Sequence, residues 1–177
     1  MIKIDISKKL HGSNGVMALE IKLDIQKNDF VALSGLSGSG KTTLLRVLAG
    51  LEKSIGTIEV DGEIWQNEKM TLAPQKRKIG FVFQDYALFS NMSVKENLLY
   101  VKNDKKLANK LLEITELGEL ENRLPNTLSG GQKQRVSLCR AMMNTPKLLL
   151  MDEPLSALDV NMRTKLQNEI LTLHKEF

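Results

Sequence analysis

The sequence is poor in cysteine, proline and aromatic residues, and it has no long hydrophobic run. Its 177 residues include one cysteine, four prolines, one tryptophan, two tyrosines and five phenylalanines. The single cysteine, Cys139, excludes an internal disulfide, and its place on the apolar side of a predicted helix indicates a core thiol rather than a catalytic one. No apolar stretch reaches the roughly 18 residues of a membrane-spanning helix, and the N-terminus lacks the apolar core of a signal peptide. We therefore expect a cytosolic protein, or one that reaches a membrane only through a partner.

The charge balance does not favour a nucleic-acid partner. The formal net charge is +4, and the basic residues form only short clusters, at Lys8-Lys9, Lys76-Arg77-Lys78 and Lys105-Lys106. No ladder of aromatic residues accompanies them, as single-strand binding would require, so we expect solvated surface there. Apolar residues make up 42% and charged residues 26% of the chain. These values are ordinary for a globular protein, and the length predicts one domain over residues 1–177.

A glycine-rich loop between a predicted strand and a predicted helix is the strongest local signal. Gly35–Thr43 fits the pattern G-x-x-x-x-G-K-[ST], the strand is predicted at Phe30–Ser34, and the helix is predicted at Thr42–Gly50. Backbone N–H groups of such a loop surround phosphate oxygens, and the helix N-terminus adds partial positive charge. Lys41 is expected to reach the β- and γ-phosphates, and the Thr42 hydroxyl to bind Mg²⁺. The residues assigned to nucleotide binding are Gly35, Ser37, Gly38, Ser39, Gly40, Lys41, Thr42 and Thr43.

A second signal is an apolar run that ends in two carboxylates. Leu148-Leu149-Leu150-Met151 is followed by Asp152 and Glu153, which is typical of a buried parallel strand with acids at its C-terminal edge. Asp152 is predicted to hold Mg²⁺, directly or through water. Glu153 points elsewhere and is a candidate general base for an attacking water. The alternative is that the two acids only cap a helix. It is less favoured because the same chain has the phosphate-loop pattern.

The third signal is Leu128-Ser129-Gly130-Gly131-Gln132, followed by Lys133-Gln134-Arg135-Val136. A serine hydroxyl and bare glycine N–H groups at a helix start make a second anion site. The sequence resembles the signature motif of ATP-binding-cassette (ABC) ATPases, and the resemblance covers the whole chain. It implies a head-to-tail homodimer in which each ATP lies between the Lys41 loop of one subunit and the Ser129 loop of the other. The residues that the resemblance adds to ATP binding are Ser129, Gly130, Gly131 and Gln132.

Two further segments match the family. Gln84 resembles the Q-loop glutamine, a catalytic residue that senses Mg²⁺ or the attacking water, and Ser156-Ala157-Leu158-Asp159 resembles the D-loop. The resemblance implies an α/β P-loop fold with an N-terminal antiparallel β subdomain and a helical subdomain inserted at about residues 85–145. It also implies transmembrane permease subunits as partners, a substrate-binding protein acting indirectly, and a place on the inner face of the cell membrane. Tyr86-Ala87-Leu88-Phe89 lies at the expected permease contact, where Leu88 and Phe89 fit either a core or a docking role.

Periodicity predicts most of the remaining elements. Strands are predicted around Ile2–Ile6, Leu19–Ile25, Gly56–Gly62 and 79–83, from alternating or buried apolar residues. Ser93 and Glu96 form a capping-box pattern before a helix. Helices are predicted at 104–117 and at Val160–Phe177, and Pro125-Asn126-Thr127 breaks the chain before the signature motif.

The amino-acid sequence around Gln84 is similar to that of importer ATPases for oxyanions, polyamines and sugars. Lys9-Leu10-His11-Gly12 lacks the aromatic residue that usually stacks on adenine, so His11, Leu10 or no residue serves there. Molybdate-type ATPases share that departure and resemble Leu72–Gly80. The resemblance thus favours molybdate or a related oxyanion, with sulfate, polyamines and other solutes as alternatives.

The family's switch histidine has no counterpart here. His174 lies within the predicted helix Val160–Phe177 and is expected to be a surface residue. The sequence therefore resembles an N-terminal fragment of a longer ATPase, with an incomplete central sheet and little turnover of its own. Two alternatives remain: a soluble ABC protein that acts on DNA or the ribosome, and a regulatory cassette that pairs with a complete one.

Overall fold

The computed structural model describes residues 1–12, 15–156 and 158–177, and it describes side chains for these except at His11 and Gly12. The side chain of His11, which is expected to contact adenine, lies outside this part of the chain. The D-loop residue Ala157 lies outside it as well. The chain divides into two compact units, Met1–Arg77 and Lys78–Phe177. None of the helices in the described residues combines the length and the apolar composition needed to cross a lipid bilayer.

The first unit contains a four-stranded antiparallel sheet in the order β2-β1-β3-β4. Its strands are β1 (Ile2–Gly12), β2 (Gly15–Ile25), β3 (Ile55–Val60) and β4 (Glu63–Gln66). Ile4 pairs with Ile58 on one side and Leu23 on the other. Ile4 and Ile58 are buried, whereas Leu23 on the edge strand stays 37% exposed. The predicted strands are confirmed. The edge strand β2 is more exposed to solvent than the alternation of apolar and polar residues alone indicates.

Helix α1 (Lys41–Leu48) follows the glycine-rich loop and buries Leu44, Leu45, Val47 and Leu48. The predicted helix is confirmed, with an end two residues earlier. The side chain of Arg77 is buried, whereas Lys76 and Lys78 are exposed, so the expectation of a solvated basic cluster at residues 76–78 is wrong for Arg77 alone. Its Nη1 donates to the carbonyl oxygens of Val47 (2.9 Å) and Leu48 (2.7 Å) in the last turn of α1, and Val47 O also accepts from the Gly50 N–H (2.9 Å). Arg77 thus acts as a C-terminal cap of α1.

Residues 30–34 do not form the strand that the sequence predicts. They have no regular structure, and Phe30, Val31 and Leu33 are 53%, 49% and 39% exposed. Among the described residues no strand pairs with this segment. A strand is stable only when neighbouring strands take up its backbone hydrogen bonds, so local β propensity alone does not form one here.

The second unit is built on a parallel pair of strands, β5 (Ile79–Val82) and β6 (Leu148–Met151). Between them lie helices α2 (Val94–Val101), α3 (Lys105–Ile114) and α4 (Gly130–Met142), and α5 (Val160–Glu176) follows β6. The predicted helices at these places are confirmed, including the Ser93–Glu96 capping box of α2. The limits 85–145 for a helical subdomain stay a prediction.

One core joins the elements of the second unit. It includes Leu98 of α2, Leu111 of α3, Val136 and Cys139 of α4, and Leu173 of α5. Burial raises the pKa of the Cys139 thiol to about 12. A thiol with that pKa stays protonated at neutral pH and is a poor nucleophile, so the prediction of a core thiol is confirmed.

Close packing of strand β5 on helix α4 requires a glycine at position 80. A Cβ atom built at Gly80 would lie 2.6 Å from the carbonyl oxygen of Ala141, a backbone atom that cannot move aside alone. We expect Gly80→Ala to lower the free energy of unfolding by about 1–3 kcal/mol, as overpacking does. Gly118→Ala is the control, because a Cβ there meets nothing within 4 Å. Denaturant titration of the two variants checks this, and equal stabilities would contradict it.

Candidate functional site

The glycine-rich loop of the first unit closes around its own lysine. Lys41 Nζ donates to the carbonyl oxygens of Gly35 (2.9 Å) and Leu36 (3.0 Å). Gly40 is the residue before α1 and has a φ of 92°. A Cβ atom there would lie 3.0 Å from Leu10 Cδ1 and 3.2 Å from Leu19 Cδ1, so both backbone and packing favour glycine. The loop thus presents the start of α1 and a lysine ammonium at one place, as phosphate binding requires.

Leu10 is the described candidate for contact with adenine. It is half-buried, and its methyl group packs at Gly40. An aliphatic side chain at this place offers an apolar surface to a base but no ring to stack on it.

The second unit brings Gln84, Asp152 and Glu153 to one edge of the parallel strand pair. Asp152 follows β6, its backbone N–H donates to Val82 O (3.0 Å), and its side chain is buried. Glu153 is exposed and adopts a left-handed φ of 47°. Gln84 Nε2 donates to Glu153 Oε2 (3.3 Å). The two neighbouring acids therefore have different surroundings, and one of them contacts the Gln84 amide.

The left-handed backbone at Glu153 is held by the turn that follows. Both the backbone N–H (3.2 Å) and the hydroxyl (2.9 Å) of Ser156 donate to Glu153 O. A non-glycine residue in this conformation costs about 1–3 kcal/mol, and such residues gather at functional sites. Glu153 therefore combines a strained backbone with an exposed carboxylate, whereas the side chain of the neighbouring Asp152 is buried.

The Ser129 motif lies where helix α4 begins. Ser129 is the N-cap: its Oγ accepts from the Gln132 backbone N–H (3.3 Å), and Gln132 Oε1 accepts from the Ser129 N–H (2.8 Å). Ser129 and Gly130 are exposed, whereas Gly131 is buried. The first turn of α4 has no acidic residue. The positive end of the helix dipole is therefore not neutralised locally, which suits an anion.

Tyr86, which the sequence predicts only as part of the permease contact, lies beside this motif. Tyr86 and Ala87 both have left-handed φ values, 64° and 47°. Arg140 Nη1 donates to Ala87 O (2.7 Å) and Nη2 to Tyr86 O (3.3 Å). A Cβ atom at Gly130 would lie 3.3 Å from the Tyr86 hydroxyl. The segment after Gln84 is thus anchored on α4 and touches the signature loop, a long-range contact with no local sequence signal.

Leu88 and Phe89, for which two roles were open, behave differently. Leu88 is half-buried and packs against the core of the second unit. Phe89 is 38% exposed, with its ring centroid 4.7 Å from that of Tyr100. Tyr100 and Val101 are exposed as well. These three residues form an apolar surface, named here the aromatic patch.

The residues proposed for metal binding offer oxygen donors only: the Thr42 hydroxyl, the Gln84 amide oxygen and the Asp152 carboxylate. Mg²⁺ prefers such hard ligands and takes few of them from protein, with water and phosphate supplying the rest. Within the described part of the chain no three His, Cys, Asp or Glu side chains gather as a metal cluster. Each of the two units thus offers hard oxygen donors of the kind that Mg²⁺ prefers. His174 is exposed on α5, as expected for a surface residue.

The sequence is similar to curated importer ATPases. It is 42% identical to the spermidine/putrescine import ATP-binding protein PotA of Clostridium novyi, over 98% of this chain and 52% of the relative. It is also 42% identical to the molybdenum import ATP-binding protein ModC of Saccharophagus degradans, over 94% of this chain and 48% of the relative. The chain thus spans about half the length of the curated relatives it matches.

Solved structures and a family model agree with these relatives. The dimeric structure of MJ0796, a bacterial ABC transporter cassette, superimposes with a TM-score of 0.81 at 30% identity, over 99% of this chain and 84% of that chain. The same cassette has been solved as a dimer in a post-hydrolysis state bound to ADP and Pi. Residues 19–156 match the family model described as ABC transporter. The chain belongs to the ABC transporter family and has the fold of its ATP-binding cassette.

Proposed function

We propose that the chain is the ATP-binding and ATP-hydrolysing part of a membrane ABC importer. One observation carries the proposal: the chain has two glycine-rich helix starts that suit phosphate, at Lys41 on α1 and at Ser129 on α4. A single nucleotide in a single chain needs only one of them. Two copies arranged head to tail use both, with each ATP held by Lys41 of one copy and Ser129 of the other. The dimeric cassette structures of the solved relative support this arrangement.

The chain's residues then divide the work of phosphoryl transfer. Lys41 and the loop residues Gly35–Thr43 bind the phosphates by charge and backbone N–H groups. Thr42, Gln84 and Asp152 would hold Mg²⁺, which neutralises phosphate charge when bound. Glu153 accepts the proton of the attacking water, Gln84 orients Glu153 through their hydrogen bond, and the products are ADP and phosphate. Ser129, Gly130, Gly131 and Gln132 of the second copy bind the γ-phosphate oxygens. Most of the acceleration comes from positioning and charge stabilisation.

The aromatic patch is the surface we assign to the permease. Phe89, Tyr100 and Val101 are exposed apolar residues, and Phe89 lies in the segment that Arg140 anchors to α4. A permease bound there can sense the state of the site through residues 84–89. We place the protein on the inner face of the cell membrane, through the permease, with a substrate-binding protein acting indirectly.

The solute is the finer part of the proposal. The relatives named above import spermidine and putrescine or molybdenum, so we propose a small charged solute, a polyamine or an oxyanion such as molybdate. The ATPase does not contact the solute, and its own residues carry no selectivity. Transport by the reconstituted complex, measured with labelled spermidine and labelled molybdate, distinguishes the two.

The proposal is tested by measuring Mg-ATP binding, dimer formation and phosphate release with the purified chain, alone and with its permease. We expect ATP to bind and to drive dimer formation, and phosphate release to rise when the permease is present. A chain that binds no ATP would contradict the proposal. ATP binding with co-purification of nucleic acid rather than a membrane protein would contradict the transport role alone.

A further inference from the structure

A buried ion pair joins the last helix to the helix that carries the signature motif. Arg135 lies on α4, one turn after Gly131, and Glu169 lies on α5; the two side chains are 10% and 8% exposed, and Arg135 Nη1 is 3.5 Å from Glu169 Oε1. Arg135 Nη1 also donates to Thr115 O (3.0 Å) at the C-terminus of α3, and its Nε donates to Gly131 O (3.4 Å). One guanidinium therefore links three helices and reaches the signature glycine.

Glu169 is poorly stabilised in this place. Within the described part of the chain neither of its carboxylate oxygens has a hydrogen-bond partner. Burial raises the pKa of Glu169 to about 7, against the favourable charges of Arg135 and Lys165, and the nearby Glu116 raises it further. A buried ion pair of this kind is seldom the most stable solution, because apolar residues of similar volume pack there at no electrostatic cost. Stability alone thus gives little reason for a carboxylate at position 169.

Helix α5 contacts the signature glycine at a second point. A Cβ atom built at Gly131 would lie 2.1 Å from Met162 Cε, so α5 packs directly on this residue. The N-cap of α5 is Asp159, in the segment that follows Glu153. Two residues of α5, two turns apart, therefore act on Gly131: Met162 by packing, and Glu169 through Arg135.

We propose that Glu169 and Arg135 are positioning residues, which hold the first turn of α4 in the geometry that binds the γ-phosphate of ATP on a second copy. The inference rests on the proposed function, since it concerns the ATP-dependent dimer. Ionised Glu169 fixes the Arg135 guanidinium between Thr115 O and Gly131 O. Neutral Glu169 leaves the guanidinium without its counter-charge, and the signature turn then loses part of its support. Lys41 and its loop are not involved, so ATP binding by a single copy is independent of the pair.

Ionisation of Glu169 should lower the stability of the fold, although it favours the ATP-dependent dimer. Because its folded pKa is raised above the ordinary value of 4.5 to about 7, the folded state binds more protons than the unfolded state between these values. Stability therefore falls as the pH rises through this window and the carboxylate ionises. Glu169→Gln removes that cost, so we expect its thermal midpoint at pH 8 to be equal to or higher than that of the parent. A purely structural ion pair would instead give a less stable variant.

The test uses the full chain with Glu153→Gln, which lets ATP-bound dimers accumulate, and light scattering to find the ATP concentration of half-maximal dimer formation from pH 6 to pH 8.5. In the parent we expect this concentration to rise by about tenfold as the pH falls through 7, a usual size for coupling between sites. With Glu169→Gln it should already be high at pH 8 and show no such step. Binding of a fluorescent ATP analogue to the undimerised chain should be the same in both.

Two further variants make the comparison specific. Glu176→Gln breaks the exposed pair of Lys110 and Glu176, which also joins α3 and α5 but does not touch α4, and it should keep the parental profile. Arg135→Lys keeps a positive charge but replaces the planar guanidinium, whose Nη1 and Nε donate to Thr115 O and Gly131 O, with a single nitrogen on a flexible stem, so it should lose dimer formation at pH 8. A parental ATP dependence in Glu169→Gln or Arg135→Lys would overturn the proposal. A parent that forms no dimer at any ATP concentration would instead refute the proposed function, and the inference with it.

Discussion

Replacing Glu153 with glutamine is expected to reduce phosphate release by the complex with the permease by about 100-fold or more, the usual contribution of a general base. Glutamine has the same shape and can still accept the hydrogen bond from Gln84 Nε2, which in the wild type is 3.3 Å long. It cannot take a proton from water at neutral pH, so bound ATP persists. Light scattering should therefore detect a stable dimer with ATP and no dimer without it.

The matched control is Glu119→Gln, which removes an exposed carboxylate from the turn Gly118–Leu120. It should hydrolyse ATP at the wild-type rate and form no lasting dimer. Turnover by Glu153→Gln at the wild-type rate would show that another group, or no protein group, takes the proton.

Replacing Lys41 with methionine is expected to weaken ATP binding by about 10- to 100-fold, the worth of charge-assisted hydrogen bonds to phosphate. The loss of turnover should be larger still, because charge develops on the phosphate oxygens in the transition state. In the structure the ammonium donates to the carbonyl oxygens of Gly35 and Leu36. Methionine preserves the aliphatic stem, so helix α1 should keep its packing. Calorimetric ATP titration and a phosphate-release assay check both effects.

Lys69→Met serves as the control, since Lys69 is exposed in the same unit and lies outside the loop. It should bind ATP as the wild type does. If the two methionine variants bound ATP equally well, the assignment of Lys41 to phosphate binding would be wrong.

Elements with local signals could be predicted from the sequence. The capping box of α2 needs only Ser93 and Glu96, which are three residues apart, and the start of α4 is marked by Ser129 before two glycines. The parallel strands β5 and β6 follow from their short buried runs. The acids after β6 mark the edge of a sheet, and the structure places Gln84 beside Glu153 there.

Features that depend on distant residues could not be predicted. Residues 30–34 have β propensity, but a strand also needs a partner, which local sequence does not supply. In the sequence Arg77 resembles a surface residue. It is buried because its guanidinium donates to the carbonyl oxygens at the end of α1. Arg135 and Glu169 lie on different helices, and no periodic pattern relates them. In each case the deciding contact is tertiary.

The two sheets have different consequences for folding kinetics. Strands β1 and β2 are consecutive and pair along their whole length, from Ile2 with Ile25 to Gly12 with Gly15, so these two strands should pair early. The β5–β6 ladder joins Ile79 to Leu148 and encloses α2, α3 and α4. Pairing of β5 with β6 restricts the conformational entropy of that long segment before the stabilising contacts between the strands form. This entropy loss slows folding. The edge that carries Gln84, Asp152 and Glu153 should therefore be among the last parts of the chain to become protected from hydrogen exchange.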